Sequence, residues 1–181
     1  PDSEILIKNV GINPTRDGLL RVCQDMGSDI TLPNENYGNG EPTAELLVRH
    51  SELHGVTVGG SVIPTLIDEL PVVAALACFA RGTTVIRDAQ ELKVKEANRI
   101  DVMVNNLRAM GAHIEGTDDG MIIEGGYPLH GAIIDSHLDH RIAMTFAITA
   151  LASDGETSIK GADCVKISYP GFYEDLTRLA K

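Results

Sequence analysis

The feature that most constrains the fold of this chain is an internal repeat. Residues 53–86 and 129–159 both begin with Leu-His-Gly and continue with an alternating apolar segment, a loop carrying a carboxylate, an apolar helix, a glycine turn and a further apolar segment. Amphipathic segments with Met-Gly before a strand occur at 18–32 and 99–117, and residues 171–181 resemble the start of a third. Repeats of about 70–80 residues that mix strands and helices favour a compact pseudo-symmetric domain over a solenoid.

The repeat predicts the fold class and the domain organisation. We expect an α/β domain of strand–helix–strand–strand units, with mixed sheets, interior helices and about two and a half repeats in a single domain over residues 1–181. Residues 70–80 and 142–152 are apolar on nearly every side, which is typical of interior helices. Gly27 and Gly111 follow amphipathic helices, and we expect both to end those helices in a left-handed conformation.

Composition argues against several classes of function. The formal charge of −11 disfavours nucleic acid or an anionic membrane as the main partner, although a local cation cluster still suits a small anion. The three cysteines are widely spaced without a C-x-x-C pair, which disfavours a disulfide framework or a zinc site and favours a reducing cytoplasm. Cys78 lies inside an apolar run and is interpreted as a core residue. We expect no signal peptide and no membrane span, and a start at Pro1 is typical of a processed or excised piece.

The segment LDHRIAM at 138–144 suggests an anion site. Asp139 directly precedes an apolar run and is predicted to cap its helix, which places Arg141 in the first helical turn. The helix macrodipole disfavours a cation there by about 0.3–1 kcal/mol, and a bound anion would remove that conflict. The alternative is a capped helix with a solvated arginine, because charged surface residues are common.

The segment ELKVKEANRI at 91–100 carries the same signal. Lys95 and Arg99 are four positions apart and are predicted to share one face near the start of a helix, where Glu96 pairs with Arg99. The alternative is a solvated helix face with one Glu–Arg pair, which contributes only about 0.2–0.5 kcal/mol. Two cation clusters at predicted helix starts together favour an anion site.

The segment IDELP at 67–71 occupies the place in the first copy that LDHRIAM occupies in the second. Asp68 is predicted to cap the helix at 70–80, with Glu69 in its first turn. A plain cap explains these residues by themselves, and the functional interpretation depends on the repeat. No metal site is predicted, because HSELH at 50–54 has its glutamate in the third place rather than directly after the first histidine.

At these residues the sequence resembles a known family. The segments IDELP, LKVKEANRI, LDHRIAM and SYPGF (168–172) occur in the order found in the 5-enolpyruvylshikimate-3-phosphate synthase family, over residues 60–175. The resemblance implies transfer of the enolpyruvyl group of phosphoenolpyruvate to the 5-hydroxyl of shikimate 3-phosphate with release of phosphate, in the shikimate pathway of aromatic amino-acid biosynthesis. It implies no cofactor and two domains that close over the substrates. The chain would then be the C-terminal domain, with the absent N-terminal domain as its partner.

The resemblance also implies a role for each site residue. The roles are Asp68 as general base at the 5-hydroxyl, Glu96 as proton donor to the methylene carbon, Lys95 near shikimate 3-phosphate, Arg99 and Arg141 on phosphoenolpyruvate, His140 as an orienting residue and Lys166 as a further phosphoenolpyruvate ligand. These residue types suit the chemistry, since the addition needs a base and an acid and the anionic substrates need fixed cations. Many members have Asp where this chain has Asn98, so we expect one structural ion pair to be missing there.

Two other classes of protein fit parts of the sequence. One is a non-catalytic anion-binding module of the same fold, and the other is a purely structural repeat protein. The residues Asp68, Glu96, Arg99 and Arg141 favour the enzyme over the structural protein. The isolated segment is nevertheless expected to be inactive, because closure of both domains assembles the active site.

Overall fold

The structure is a computed structural model that describes residues 2–38 and 40–180. Its α-helices are α1 (Gly18–Asp25), α2 (Leu70–Phe79), α3 (Arg99–Ala109), α4 (His140–Leu151) and α5 (Phe172–Leu179). Its strands are β1 (Glu4–Gly11), β2 (Asp29–Thr31), β3 (Thr43–Arg49), β4 (Thr57–Val58), β5 (Gly82–Ile86), β6 (His113–Gly116), β7 (Met121–Gly125), β8 (Ile133–Asp135) and β9 (Ser158–Lys160). Short 3₁₀ helices cover Gly60–Thr65, Gln90–Val94 and Ala162–Ile167.

The described strands form three sheets, with the orders β1-β3-β2, β4-β5-β7-β6 and β8-β9. Strands β4 and β5 are parallel, as are β8 and β9, and each pair is connected through a helix, α2 or α4. Strand β7 pairs antiparallel with β5, and β6 pairs antiparallel with β7, so the four-stranded sheet is mixed. The predicted α/β class with mixed sheets is therefore confirmed.

Helices α2 and α4 lie in the middle of the hydrophobic core and contact each other. Val73 and Ala77 of α2 and Ile142 and Phe146 of α4 are fully buried or nearly so. The predicted interior helices are thus confirmed, with ends that shift by one or two residues. Cys78 is also a core residue as predicted, and burial raises the pKa of its thiol to about 12. Within residues 2–38 and 40–180, no helix combines the length and the apolar character needed to cross a membrane.

The two copies of the repeat agree in backbone detail. Gly27 and Gly111 have φ values of +89° and +90°, which confirms the predicted left-handed helix ends. A Cβ atom at Gly27 would approach the ring of His54 to 3.3 Å, and one at Gly111 would approach the ring of His130 to 3.1 Å. The Leu-His-Gly segment therefore packs against the end of the preceding helix in both copies. This shared packing accounts for the recurrence of the histidine in both copies.

The three sheets differ in their number of strands. In the four-stranded sheet, β5 lies between parallel β4 and antiparallel β7. Strand β1 precedes α1 as β5 precedes α3, yet among the described residues it pairs only with antiparallel β3. Its other edge has no neighbour there, and the side chains of Ile5, Leu6 and Ile7 are 45–47% exposed. Among the described residues, the sheet that contains β1 therefore has three strands, whereas the sheet that contains β5 has four.

Candidate active site

The starts of α2, α3 and α4 meet at the carboxylate of Asp68. Its Oδ1 accepts a hydrogen bond from Arg99 Nη1 at 3.2 Å and lies 3.4 Å from Lys95 Nζ. Its Oδ2 lies 3.4 Å from Arg141 Nη2. The structure therefore brings Asp68, Lys95, Arg99 and Arg141 into one cluster, and Glu96 joins it through Arg99.

Arg99 is the most enclosed member of this cluster, with a side chain that is 1% exposed. Its Nε donates to Asp139 Oδ2 at 2.8 Å, and its Nη2 donates to Glu96 Oε2 at 2.7 Å and to Asp139 Oδ1 at 3.4 Å. Burial acts to lower the pKa of Arg99, but the hydrogen bonds and charges of Asp139, Glu96 and Asp68 outweigh it and raise the pKa. A buried guanidinium at a helix start is tolerated here because three carboxylates surround it.

The carboxylate of Asp139 both caps α4 and binds Arg99. Its Oδ1 accepts hydrogen bonds from the backbone N–H groups of Arg141 at 2.9 Å and Ile142 at 3.4 Å, which confirms the predicted cap of α4. Its Oδ2 holds Arg99, forty positions earlier in the chain, and its own side chain is fully buried. The sequence pointed to the cap but not to the contact with Arg99, because no local pattern reports a pair so distant in the chain.

The predicted cap at Asp68 is wrong. Helix α2 begins at Leu70 after Glu69, and the residue at its N-cap makes no side-chain hydrogen bond to the backbone. The carboxylate of Asp68 instead faces Lys95, Arg99 and Arg141, because charge-assisted contacts with three cations are stronger than a cap bond. Burial acts to raise the pKa of Asp68, but the charges of Arg141 and Lys95 and the hydrogen bond from Arg99 bring it below the usual value.

Lys95 reaches the cluster from outside α3, so the predicted helix face shared with Arg99 is also wrong. Its backbone is extended, with φ −77° and ψ −165°, directly after the 3₁₀ helix Gln90–Val94. Its Nζ lies 2.6 Å from Glu91 Oε1 and 3.4 Å from Asp68 Oδ1. The hydrogen bond to Glu91 raises the pKa of Lys95, burial opposes this and the charge of Asp68 adds to it. Sequence reasoning missed Glu91, although its spacing of four from Lys95 was visible.

Arg141 is more accessible than Arg99, with 30% of its side chain exposed. Its Nη1 lies 3.4 Å from Glu69 Oε1, and the guanidinium of Arg16 approaches that same carboxylate atom to 3.9 Å. Glu69 therefore lies between two arginines, which the sequence did not indicate. The contacts of Arg141 are longer than those of Arg99, so its donors are the more available ones for a ligand.

Two predicted site residues lie at the margin. His140 is the first residue of α4 and is half-buried beside Arg141. Lys166 pairs with Asp163 Oδ1 at 2.6 Å and is 65% exposed, and within the described residues it makes no ion pair with the cluster. Asn98 caps α3, accepting from the N–H of Asp101 at 3.4 Å and donating to its carboxylate at 2.6 Å. We expected an ion pair to be missing at Asn98, and in this chain that residue caps α3 instead.

A cleft of about 210 Å³ opens next to Asp68 and Arg141. One end is charged, and the walls are mainly apolar side chains from α2, α4 and α5. The lining residues are Asp68, Glu69, Val72, Arg141, Met144, Thr145, Ile148 and Phe172. In the described part of the chain, no group of three or more His, Cys, Asp or Glu side chains has the arrangement of a metal site. The arrangement provides cations for an anion and carboxylates for proton transfer.

Comparisons with known proteins agree on one family. The family model described as EPSP synthase (3-phosphoshikimate 1-carboxyvinyltransferase) matches residues 1–176. A 3-phosphoshikimate 1-carboxyvinyltransferase of Synechococcus sp. (strain JA-3-3Ab) is 52% identical over 179 residues, which are 99% of this chain and 40% of that protein. One of Alkaliphilus oremlandii (strain OhILAs) is 51% identical over 181 residues, covering 100% of this chain and 42% of that protein. The chain thus spans about two fifths of the length of the curated relatives it matches.

Solved structures agree with the sequence matches. A structure of EPSP synthase from Acinetobacter baumannii superposes with a TM-score of 0.93 at 40% identity, over 97% of this chain and 41% of that one. The enolpyruvyl transferase NikO from Streptomyces tendae gives a TM-score of 0.77 at 22% identity, over 98% of this chain and 39% of that one. The second likeness concerns the fold alone, and it confirms the expected fold of pseudo-symmetric units.

Proposed function

The chain belongs to the EPSP synthase family, and from this premise we propose that it supplies part of an active site for enolpyruvyl transfer. The reaction moves the enolpyruvyl group of phosphoenolpyruvate to the 5-hydroxyl of shikimate 3-phosphate and releases phosphate, in the cytoplasm. The observation that carries the proposal is the carboxylate of Asp68, which contacts cations from three different segments. A surface ion pair needs one partner, whereas a site for anionic substrates needs several fixed cations.

The two carboxylates nearest these cations suit the proton transfers. Addition of the hydroxyl across the double bond of phosphoenolpyruvate removes a proton from the hydroxyl and adds one to the methylene carbon. We assign the first transfer to Asp68, which accepts the hydroxyl proton, and the second to Glu96. Glu96 must take up a proton from solvent before it can donate one, and its side chain is 49% exposed and therefore accessible to solvent and ligand. Loss of phosphate from the adjacent carbon and of a proton from the new methyl group then restores the double bond. Glu96 takes that proton back and Asp68 gives its proton to the leaving phosphate, so both carboxyl groups return to their starting charge.

The cations bind and orient the anionic groups. We assign Arg141 and Arg99 to phosphoenolpyruvate, because a guanidinium offers two parallel donors to a carboxylate or phosphate. We assign Lys95 to the neighbourhood of shikimate 3-phosphate and His140 to an orienting hydrogen bond. Lys166 is proposed as a further ligand of phosphoenolpyruvate, which requires it to leave Asp163. No cofactor takes part in the proposal.

The proposal includes a second domain. Residues 1–181 would form one domain on the C-terminal side of the enzyme, with about two and a half repeats, and the other domain would close over the cluster. The partial coverage of the relatives supports this organisation. Closure would exclude water and strengthen the electrostatic contacts of the site.

An assay of phosphate release tests the proposal. With phosphoenolpyruvate and shikimate 3-phosphate, the full-length enzyme containing this chain should release phosphate, and its Asp68→Asn variant should be slower by about 10²–10⁴-fold. The 181-residue chain alone should not reach about 1 s⁻¹, an ordinary rate for an enzyme. Adding the complementary domain to the chain should restore release. A full-length enzyme that is inert with these two substrates would refute the proposed function.

A further inference from the structure

The three carboxylates around Arg99 differ in how deeply they are buried and in whether they also bind the backbone. Asp139 is fully buried and is tied to the backbone of α4 by its capping bonds. The side chains of Glu96 and Asp68 are 49% and 27% exposed, and neither accepts a capping bond from a helix. One partner of Arg99 is therefore part of the scaffold, and two lie at its solvent side.

The contacts follow the geometry of the guanidinium. The Nε atom and one terminal nitrogen face Asp139, at 2.8 Å and 3.4 Å. The outward donors of Nη1 and Nη2 are taken by Asp68 at 3.2 Å and Glu96 at 2.7 Å. A carboxylate or phosphate that approaches from the cluster would need these same two donors, because a guanidinium binds such groups through paired N–H bonds. An incoming anion and the two carboxylates therefore compete for one edge of Arg99.

From this geometry we propose that Glu96 and Asp68 are placeholders on Arg99, which a bound anion displaces while Asp139 stays in contact. The inference rests on the proposed function for the identity of the natural anion. It goes beyond that function because displacement links substrate binding to the activation of the two carboxylates. An ion-paired carboxylate is a weak base, and the cations around Asp68 hold its pKa below the usual value. Once the anion takes the cations, both carboxylates are free to exchange protons.

Neutralising a placeholder should change anion affinity in the direction opposite to that expected for a residue that binds the substrate. A residue that only helped to bind the substrate would weaken binding when it is neutralised. Neutralising a placeholder removes a competitor and should strengthen anion binding, although it also removes the proton donor. The combination of tighter binding and lost turnover in Glu96→Gln separates a placeholder from an ordinary ligand residue.

Sulfate is the probe of choice, because it keeps its charge of −2 near neutral pH and needs no turnover. Arginine side-chain NMR of the 181-residue chain would follow the Arg99 signals at neutral pH during a sulfate titration. We expect Glu96→Gln to bind sulfate about two- to fivefold more tightly than the wild type, the size expected when one partly exposed ion pair stops competing. The matched control is Asp101→Asn, which removes the same charge from an exposed residue of α3 that contacts Asn98 rather than Arg99.

A second variant tests the permanent partner. Asp139→Asn keeps an oxygen for the cap of α4 but loses the charge that aims Arg99, so sulfate should bind about tenfold more weakly. If this variant fails to fold, the Glu96→Gln titration alone decides. Unchanged or weaker binding in Glu96→Gln, or the same tightening in Asp101→Asn, would overturn the inference.

The outcome is separable from that of the proposed function. Sulfate binding reports on displacement alone, and phosphate release from phosphoenolpyruvate reports on the reaction. The expected sulfate results together with an inert full-length enzyme would keep the placeholder mechanism and reject the reaction. Active full-length enzyme with unchanged sulfate binding in Glu96→Gln would do the reverse.

Discussion

The starts of α2 and α4 occupy the same place in two copies of one unit, yet their chemistry is opposite. At α4 a buried aspartate caps the helix and an arginine projects from the first turn. At α2 no side chain caps the helix, and Asp68 and Glu69 both lie close to that arginine. The two helix starts therefore bind each other. The two copies therefore place similar helix starts side by side with side chains of complementary charge.

The comparison also separates structural from functional charge. Asp139 is fully buried and holds both a helix start and a cation, so it belongs to the frame of the site. Asp68 is more exposed and its carboxylate does not cap its helix, and it is the residue to which we assign proton transfer. Substitutions that remove one of these carboxylates test the distinction most directly.

The largest effect should come from Asp139→Ala, which gives α4 an uncapped start like that of α2. Removing one partner of a buried ion pair typically costs about 3–5 kcal/mol, because Arg99 loses its most buried counter-charge. Chemical denaturation would measure the free energy of unfolding. The control Asp163→Ala removes an aspartate whose side chain is 88% exposed, and should change stability by less than about 0.5 kcal/mol. Equal losses in both variants would contradict the assigned role of Asp139.

The next effect concerns function at the same helix. In a full-length enzyme, Arg141→Lys should lower activity with phosphoenolpyruvate by about ten- to a hundredfold, because lysine offers a point charge instead of two parallel donors. Folding should survive, since the cap and the apolar face of α4 remain. Kinetics and thermal stability should be measured on the same preparation. Unchanged kinetics would make Arg141 a solvated surface residue, and a collapse in stability would make it structural.

A smaller loss of stability, equal in the two copies of the repeat, is expected at the glycines that follow α1 and α3. Gly27→Ala and Gly111→Ala should each cost about 1–2 kcal/mol, because a residue with a Cβ is strained at φ near +90° and the added atom meets a histidine ring. Gly11→Ala is the control, since a Cβ there meets no atom within 4 Å. Thermal unfolding would compare the three. A large difference between Gly27→Ala and Gly111→Ala would show that the copies are not equivalent at their helix ends.

The smallest effect should appear in the dependence of stability on pH. The pKa of Asp68 is lower in the folded chain than its ordinary value of about 3.9, so its contribution to stability is present above that value. The contribution disappears as the pH falls through the folded pKa. Between pH 6 and pH 3, Asp68→Asn should therefore lose less stability than the wild type. Thermal melts across this range would measure it, and parallel curves for the two proteins would contradict the assigned ion pairs.

Local patterns in the sequence predicted what local forces determine. The apolar residues at 70–80 predicted an interior helix, and the structure has one. An aspartate directly before an apolar run predicted a helix cap, and Asp139 makes that cap. The prediction failed at Asp68 and Lys95, where tertiary charge contacts override helix geometry. The burial of Arg99 was not foreseen, because its main partner lies forty positions away and no periodicity reports such a pair.

One edge of β1 has no neighbouring strand among the described residues, and this has a consequence for handling the chain. An exposed strand that carries Ile5, Leu6 and Ile7 is a template on which further copies can add, leading to ribbon-like aggregates. The strand has its own protection, because the pairing with β3 shifts register after Ile7 and a lysine follows at that point. An irregular, charged edge is a poor template for polymerisation. Replacing Lys8 by an apolar residue should therefore shorten the time before a concentrated solution of the chain turns turbid.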